Sequence, residues 1–266
     1  MHLSKEQCEN WRKTVDYALP GLLNLVSNIP GKALIIGASI LQIYKEAGWI
    51  KKARSTGDLD LSVGLVSSTS EYESIRQELF KLGYKASDPD RHYRLFSPVQ
   101  VSLEISYVDL LAHPQGMISK AETRNVMGVG NAWSFDVILF AAEEAYQISK
   151  NIDIPNPIGF LALKCASYID DPQRTRDIVD ILDVVFGLVE NGFHYDLKET
   201  WQLMKRINKD QANLVMNMIQ GIADEQIEWD LRRAEQEYLQ RDYTDEMIEI
   251  ETQRIFSEFA DAVFST

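Results

Sequence analysis

Apolar residues recur at helical spacing from the start of the chain. Trp11, Val15, Leu19, Leu22 and Leu25 fall on roughly one face, and Ser4 stands at the N-cap, so one amphipathic helix is expected over residues 5–28, ended by Pro30 and Gly31. Ala33-Leu34-Ile35-Ile36 has the short apolar run of a buried strand, and Gly37-Ala38-Ser39 turns it into a helix over 40–47. From 58 to 65 the period changes to two. Leu59, Leu61, Val63 and Leu65 alternate with polar or small residues, which predicts a strand with Asp58 and Asp60 together on its other face. A helix over 70–82 follows, then a turn-rich stretch with Asp88-Pro89-Asp90, then extended segments over 93–96 and 99–111. Past His113-Pro114 no period is legible until Asn156-Pro157, which opens a long helix carrying Leu161, Lys164 and Ala166. Beyond it only helices are expected, over 174–189, 197–207, 211–222, 225–239 and 244–264. The expected fold class is mixed α+β. A small mixed sheet with helices against it occupies residues 1–155, and a helical bundle occupies 156–266.

Composition narrows this picture without redrawing it. A chain of 266 residues buries a core of its own, and its two cysteines, Cys8 and Cys165, are too few for a disulfide framework and lack zinc spacing. The N-terminus has no apolar signal core, and no apolar run approaches the roughly 20 residues of a membrane span. A reduced, cytoplasmic setting with no membrane partner is expected. The net charge of −13 argues against general nucleic-acid binding. Much of the acidity lies in the C-terminal part, including residues 224–251, which leaves room for a local basic groove around Lys51, Lys52, Arg54, Arg91 and Arg94.

Three features carry candidate chemistry. The strand, Gly37-Ala38-Ser39 turn and helix aim free helix amides at a common point, as an anion site requires, although ordinary strand-to-helix turns use glycine too. Asp58 and Asp60 on one strand face repel each other unless a cation such as Mg²⁺ lies between them; a solvated acidic edge is the other reading. Asp109 sits among Val108, Leu110 and Leu111, where an unpaired acid is costly. If its strand lies beside the first, three carboxylates converge, the ligand set of two-metal phosphoryl chemistry. His92, His113 and His194 lack ligand-like spacing and are expected to be structural or superficial.

Taken in order, Gly-Ala-Ser at 37–39, Arg-x-Thr-x-Asp-Leu-Asp-Leu at 54–61 and Val-Asp-Leu-Leu at 108–111 resemble the DNA polymerase beta nucleotidyltransferase superfamily. More narrowly they resemble the AbiEii-type toxins of bacterial type IV toxin-antitoxin systems. The family's Arg-x-Thr-x-Asp-hydrophobic-Asp signature matches Arg54, Thr56, Asp58 and Asp60. Its lysine helix and basic-Asp-x-x-Asp helix are similar to Phe160-Leu161-Ala162-Leu163-Lys164 and Arg176-Asp177-Ile178-Val179-Asp180. The phosphate turn departs from the usual Gly-Gly or Gly-Ser by carrying Ala38. The resemblance spans about residues 33–188.

The resemblance implies a magnesium-dependent nucleotidyltransferase that moves a nucleoside monophosphate from an NTP to an acceptor hydroxyl and releases pyrophosphate. Asp58, Asp60 and Asp109 would hold the metal, with Asp109 also orienting or deprotonating the acceptor. Gly37, Ala38, Ser39 and Lys164 would face the triphosphate. Arg54 would contact phosphate or brace Asp58 beside Thr56, and Asp177 would hold Lys164 or approach the nucleotide. By the same resemblance the acceptor is tRNA or another macromolecule, and an antitoxin protein is an expected partner. Two other readings stay open. One is nucleotide transfer to a small hydroxylated molecule, as in aminoglycoside nucleotidyltransferases, which the acidic surface favours. The other is a non-catalytic binding protein that keeps the fold.

Overall fold

The computed structural model describes residues 3–54, 56–86, 93–99, 105–129, 134–224 and 245–265. Ser55, the Asp88-Pro89-Asp90 turn, Arg91, His92, residues 100–104 of the extended segment and the helix expected over 225–239 lie outside them. The chain is mixed α+β and divides into two compact units. One comprises His2–Ile43 and Arg54–Pro155, the other Tyr44–Ala53 and Asn156–Thr266. Among the described residues, no helix is long and apolar enough to cross a membrane.

In the first unit, α1 (Lys5–Ala18) opens on a reciprocal capping box between Ser4 and Gln7 and buries Trp11, Val15 and Ala18. The single helix expected over 5–28 is two helices: the chain breaks before α2 (Leu22–Val26). Pro20 has no amide to donate, and Gly21 adopts a left-handed φ of 80° with its α-carbon hard against Leu82, where a β-carbon would come within 2.8 Å. Both pieces bury apolar residues, Trp11, Val15 and Ala18 on α1 and Leu22, Leu23 and Val26 on α2.

The sheet is built from β1 (Ala33–Ile35), β2 (Asp58–Leu65), β3 (Lys85–Ala86), β4 (Arg94–Phe96), β5 (Tyr107–Pro114), β6 (Tyr146–Ser149) and β7 (Ile152–Ile154). Their order is β3-β4-β5-β2-β1-β7-β6. β2 runs parallel to β5 and β1 parallel to β7, while the other neighbours are antiparallel. Between the strands run α3 (Ser39–Glu46), α4 (Ser70–Lys81), α5 (Lys120–Met127) and α6 (Asp136–Ala142). α4 buries Tyr72, Ile75 and Leu79, and the Tyr72 hydroxyl donates to the Leu110 carbonyl at 2.7 Å. The described residues of the stretch without a legible period therefore hold two helices and two strands. β6 and β7 are joined through Asn151, which takes the left-handed φ of 59° that asparagine tolerates in a tight turn.

Where β2 and β5 run deepest, Ser62 and His113 are both buried, and their Oγ and Nδ1 lie 2.9 Å apart. Burial pushes His113 down from 6.5 to about 4. The unfolded chain therefore binds a proton that the folded chain refuses between those values. The imidazole's contribution is present above pH 6.5 and is lost as pH falls toward 4, a loss of up to about 3 kcal/mol. Urea unfolding measured across this window should show a steeper fall in the native protein than in His113→Gln. Parallel curves would mean that the ring is not buried as described.

The second unit is helical: α7 (Pro157–Asp170), α8 (Thr175–Glu190), a 3-10 turn over Phe193–Asp196, α9 (Leu197–Ile207), α10 (Lys209–Ala223) and α11 (Asp245–Phe264). α7 begins as its sequence requires. Asn156 caps the Gly159 amide at 3.0 Å, and Pro157 stands in the first turn, where no amide is missed. Residues 44–53 belong to this unit through their packing. Tyr44 meets Phe160 edge-on at 5.8 Å, and Gly187 lets the Ile50 backbone approach so closely that a β-carbon would lie 2.6 Å from its α-carbon.

Candidate functional site

The register of three strands builds the first cluster. Asp58 pairs with Tyr107 and Asp60 with Asp109 across β2 and β5, while Phe96 pairs with Tyr107 and Arg94 with Asp109 across β4 and β5. Because side chains alternate along a strand, one face carries two rows, Phe96–Tyr107–Asp58 and Arg94–Asp109–Asp60. The other face carries Leu95, Val108 and Leu59, all fully buried. One oxygen from each of Asp58, Asp60 and Asp109 lies within 4.8 Å of the others, the one group of three or more such ligands among the described residues.

Each acid has a neighbour that fixes it. Thr56 Oγ1 donates to Asp58 Oδ1, and the Tyr107 hydroxyl donates to Asp58 Oδ2 at 3.3 Å. Burial, and then the Asp58 charge, push the Tyr107 phenol up, so it remains a donor. Asp109 is gripped at both oxygens by Arg94, with Nε 2.7 Å from Oδ1 and Nη2 2.5 Å from Oδ2. That bond holds the guanidinium firmly protonated, and it lies 4.3 Å over the Tyr107 ring.

The turn at 37–39 meets the cluster through Asp60. The Ile36 amide donates to the Asp60 carbonyl at 3.0 Å. A β-carbon on Gly37 would stand 1.9 Å from Asp60 Oδ2, so only glycine leaves room for that carboxylate. Ala38 and Ser39 are buried, and Ser39 Oγ, at the first residue of α3, makes no hydrogen bond among the described residues. A buried hydroxyl without a partner is costly. Arg54 precedes β2 by four residues.

The remaining sequence candidates form a cluster inside the helical unit. Lys164 Nζ on α7 lies 3.0 Å from Asp177 Oδ1 and 2.6 Å from Asp180 Oδ2 on α8. Asp177 Oδ2 also accepts from Ser167 Oγ at 2.9 Å and Arg174 Nε at 2.8 Å. Burial pushes the Asp177 carboxyl up, but the Lys164 and Arg174 charges and the hydrogen bonds outweigh it and leave it below its ordinary value. Lys164 is thus a buried, doubly paired cation and not a mobile one.

Three aspartates offering only oxygens fit a hard divalent ion such as Mg²⁺, and the close approach of like charges gives them reason to hold one. Sequence reading missed two members of this face. Arg94 was legible only as one charge of a basic groove, and Tyr107 not at all, because their roles depend on strand register and not on spacing along the chain. No family model matches the chain, and no curated protein or solved structure matches it either.

Proposed function

We propose that this protein is a magnesium-dependent nucleotidyltransferase of the DNA polymerase beta type, moving a nucleoside monophosphate from an NTP to an acceptor hydroxyl with release of pyrophosphate. The observation that carries this reading is the cross-strand row that sets Asp60 beside Asp109, with Asp58 two residues away on the same face and the Gly37 turn against Asp60. Mg²⁺ bound to these carboxylates supplies the positive charge that phosphate oxygens need during in-line displacement. The chain's own residues do the rest. Thr56 and Tyr107 hold Asp58 in one orientation, and Gly37 leaves Asp60 its place. The Gly37-Ala38-Ser39 turn would supply donors to the departing pyrophosphate, and Asp109 would orient or deprotonate the acceptor hydroxyl.

On the resemblance to AbiEii-type toxins the acceptor is tRNA and an antitoxin is a partner. The net charge of −13 favours a cationic, hydroxylated small molecule as the second reading. Incubation with each α-labelled NTP, Mg²⁺ and either total RNA or an aminoglycoside separates them. Label in RNA supports the first acceptor, and label in the small molecule supports the second. Absence of Mg²⁺-dependent NTP binding would end the enzyme reading and leave a binding protein.

A further inference from the structure

We infer that Arg94 is the resident cation of the aspartate cluster, holding Asp109 where a divalent ion would otherwise sit, and that it sets the metal affinity of the site as a positioning residue. This rests on the nucleotidyltransferase reading for its biological use, but not for its test. The guanidinium takes both oxygens of a carboxylate that is 6% exposed, so Asp109 is charge-balanced by Arg94 with each oxygen accepting a hydrogen bond. Mg²⁺ binds carboxylate oxygen at about 2.0–2.1 Å. An ion joining Asp109 to Asp60 and Asp58 would therefore lie within a few ångströms of a guanidinium held 2.5–2.7 Å from the same oxygens. Two cations that close repel by several times the thermal energy even at an effective dielectric of about 20. Arg94 must slide off Asp109 or weaken the ion's hold.

The surroundings allow the first course. The Arg94 side chain is 22% exposed, in contrast to its partner, and it already lies 4.3 Å over the Tyr107 ring, an aromatic face that can keep a released guanidinium beside the cluster. Register supports the same assignment: Arg94, Asp109 and Asp60 form one straight row across β4, β5 and β2, so the arginine approaches Asp109 from the flank opposite Asp60. A released Arg94 would leave a positive charge next to the metal cluster, where an anionic substrate oxygen could meet it. Metal entry and arginine release are then two halves of one exchange at Asp109.

Mn²⁺, a divalent ion of similar oxygen preference, is the probe, added without nucleotide and followed by the electron paramagnetic resonance of the free ion. Arg94→Gln keeps a polar side chain but removes the charge, and it should bind Mn²⁺ on the order of tenfold more tightly than the native protein, given like-charge repulsion at such separations. Arg94→Lys keeps the charge and should stay near the native affinity, a distinction that a merely structural role would not produce. In an Asp109→Asn background the Arg94→Gln change should tighten binding less than in the native protein, because the competition for the Asp109 carboxylate is gone and only the repulsion between the two cations remains. As a folding control, Arg94→Gln should have a lower Tm than the native protein without metal and gain more from Mn²⁺. Equal or weaker Mn²⁺ binding by Arg94→Gln, with native binding that still depends on Asp58 and Asp60, overturns this inference alone. Absence of Mn²⁺ binding by native protein and variants alike overturns it together with the nucleotidyltransferase reading.

Discussion

Asp60→Asn should remove NTP-dependent transfer while leaving the fold at least as stable as before. Asp60 occupies the centre of the cluster: Asp58 is two residues away on its own strand, Asp109 is its cross-strand partner, and the Gly37 backbone lies under its carboxylate. Asparagine keeps the shape and removes only the charge. A divalent ion contributes several kcal/mol to phosphoryl chemistry, and losing a central ligand should lower the transfer rate on the order of a thousandfold, about 4 kcal/mol. Stability should move the other way. With Asp109 balanced by Arg94, Asp58 and Asp60 still carry like charges on one strand face, and neutralising Asp60 relieves their repulsion. Pyrophosphate release and thermal melting, both measured without prior metal loading and again with Mg²⁺, check the two halves. Full transfer activity in Asp60→Asn would sink the assigned chemistry. A loss of activity matched by a large loss of Tm would recast Asp60 as a structural residue.

The two periods of the chain were legible where each element is amphipathic. β2 occupies residues 58–65 as its alternation predicts, with Leu59, Leu61, Val63 and Leu65 buried on one face, and α9 spans 197–207, with Leu197, Trp201 and Met204 buried along one stripe. Alternation also placed Asp58 and Asp60 together, since side-chain direction in a strand is a local property. The partners of the acids were not legible. Arg94 reaches Asp109 only because β4 pairs with β5 in one register, and a shift of a single residue would send the arginine to the other face. The unread stretch contained one local signal that deserved weight. Ser119 and Glu122 form a reciprocal capping box that opens α5, and Gly128 closes the helix in a left-handed conformation. β6 and β7 carried no such mark, since strands of four and three residues are too short for a period to declare itself. The break at Pro20-Gly21 was written in the residues, but the apolar spacing runs through it and reads as one helix.

Lys164→Met should destabilise the helical unit by about 3–5 kcal/mol, the usual consequence of removing one partner from a buried ion pair. Lys164 is 6% exposed, Asp177 and Asp180 are fully buried, and the single ammonium serves both carboxylates. Methionine fills similar space, so the cost arises from charge and not from a cavity. Asp177 loses its 3.0 Å contact with the ammonium but keeps Arg174 and Ser167, and Asp180 loses a contact of 2.6 Å. Adding Asp180→Asn to Lys164→Met should therefore recover part of the loss, since an amide tolerates burial better than a carboxylate deprived of its cation. The pH dependence has a definite sign. The lowered Asp177 carboxyl makes its stabilising contribution above the unfolded value of 3.8 and loses it as pH falls through the lower folded value. The gap between native protein and Lys164→Met should consequently narrow below about pH 4, where Asp177 takes up a proton and no longer needs the lysine. Urea unfolding at pH 7 and pH 3.5 measures both quantities. A cost below about 1 kcal/mol at pH 7 would place the pair among weak, solvent-screened ion pairs.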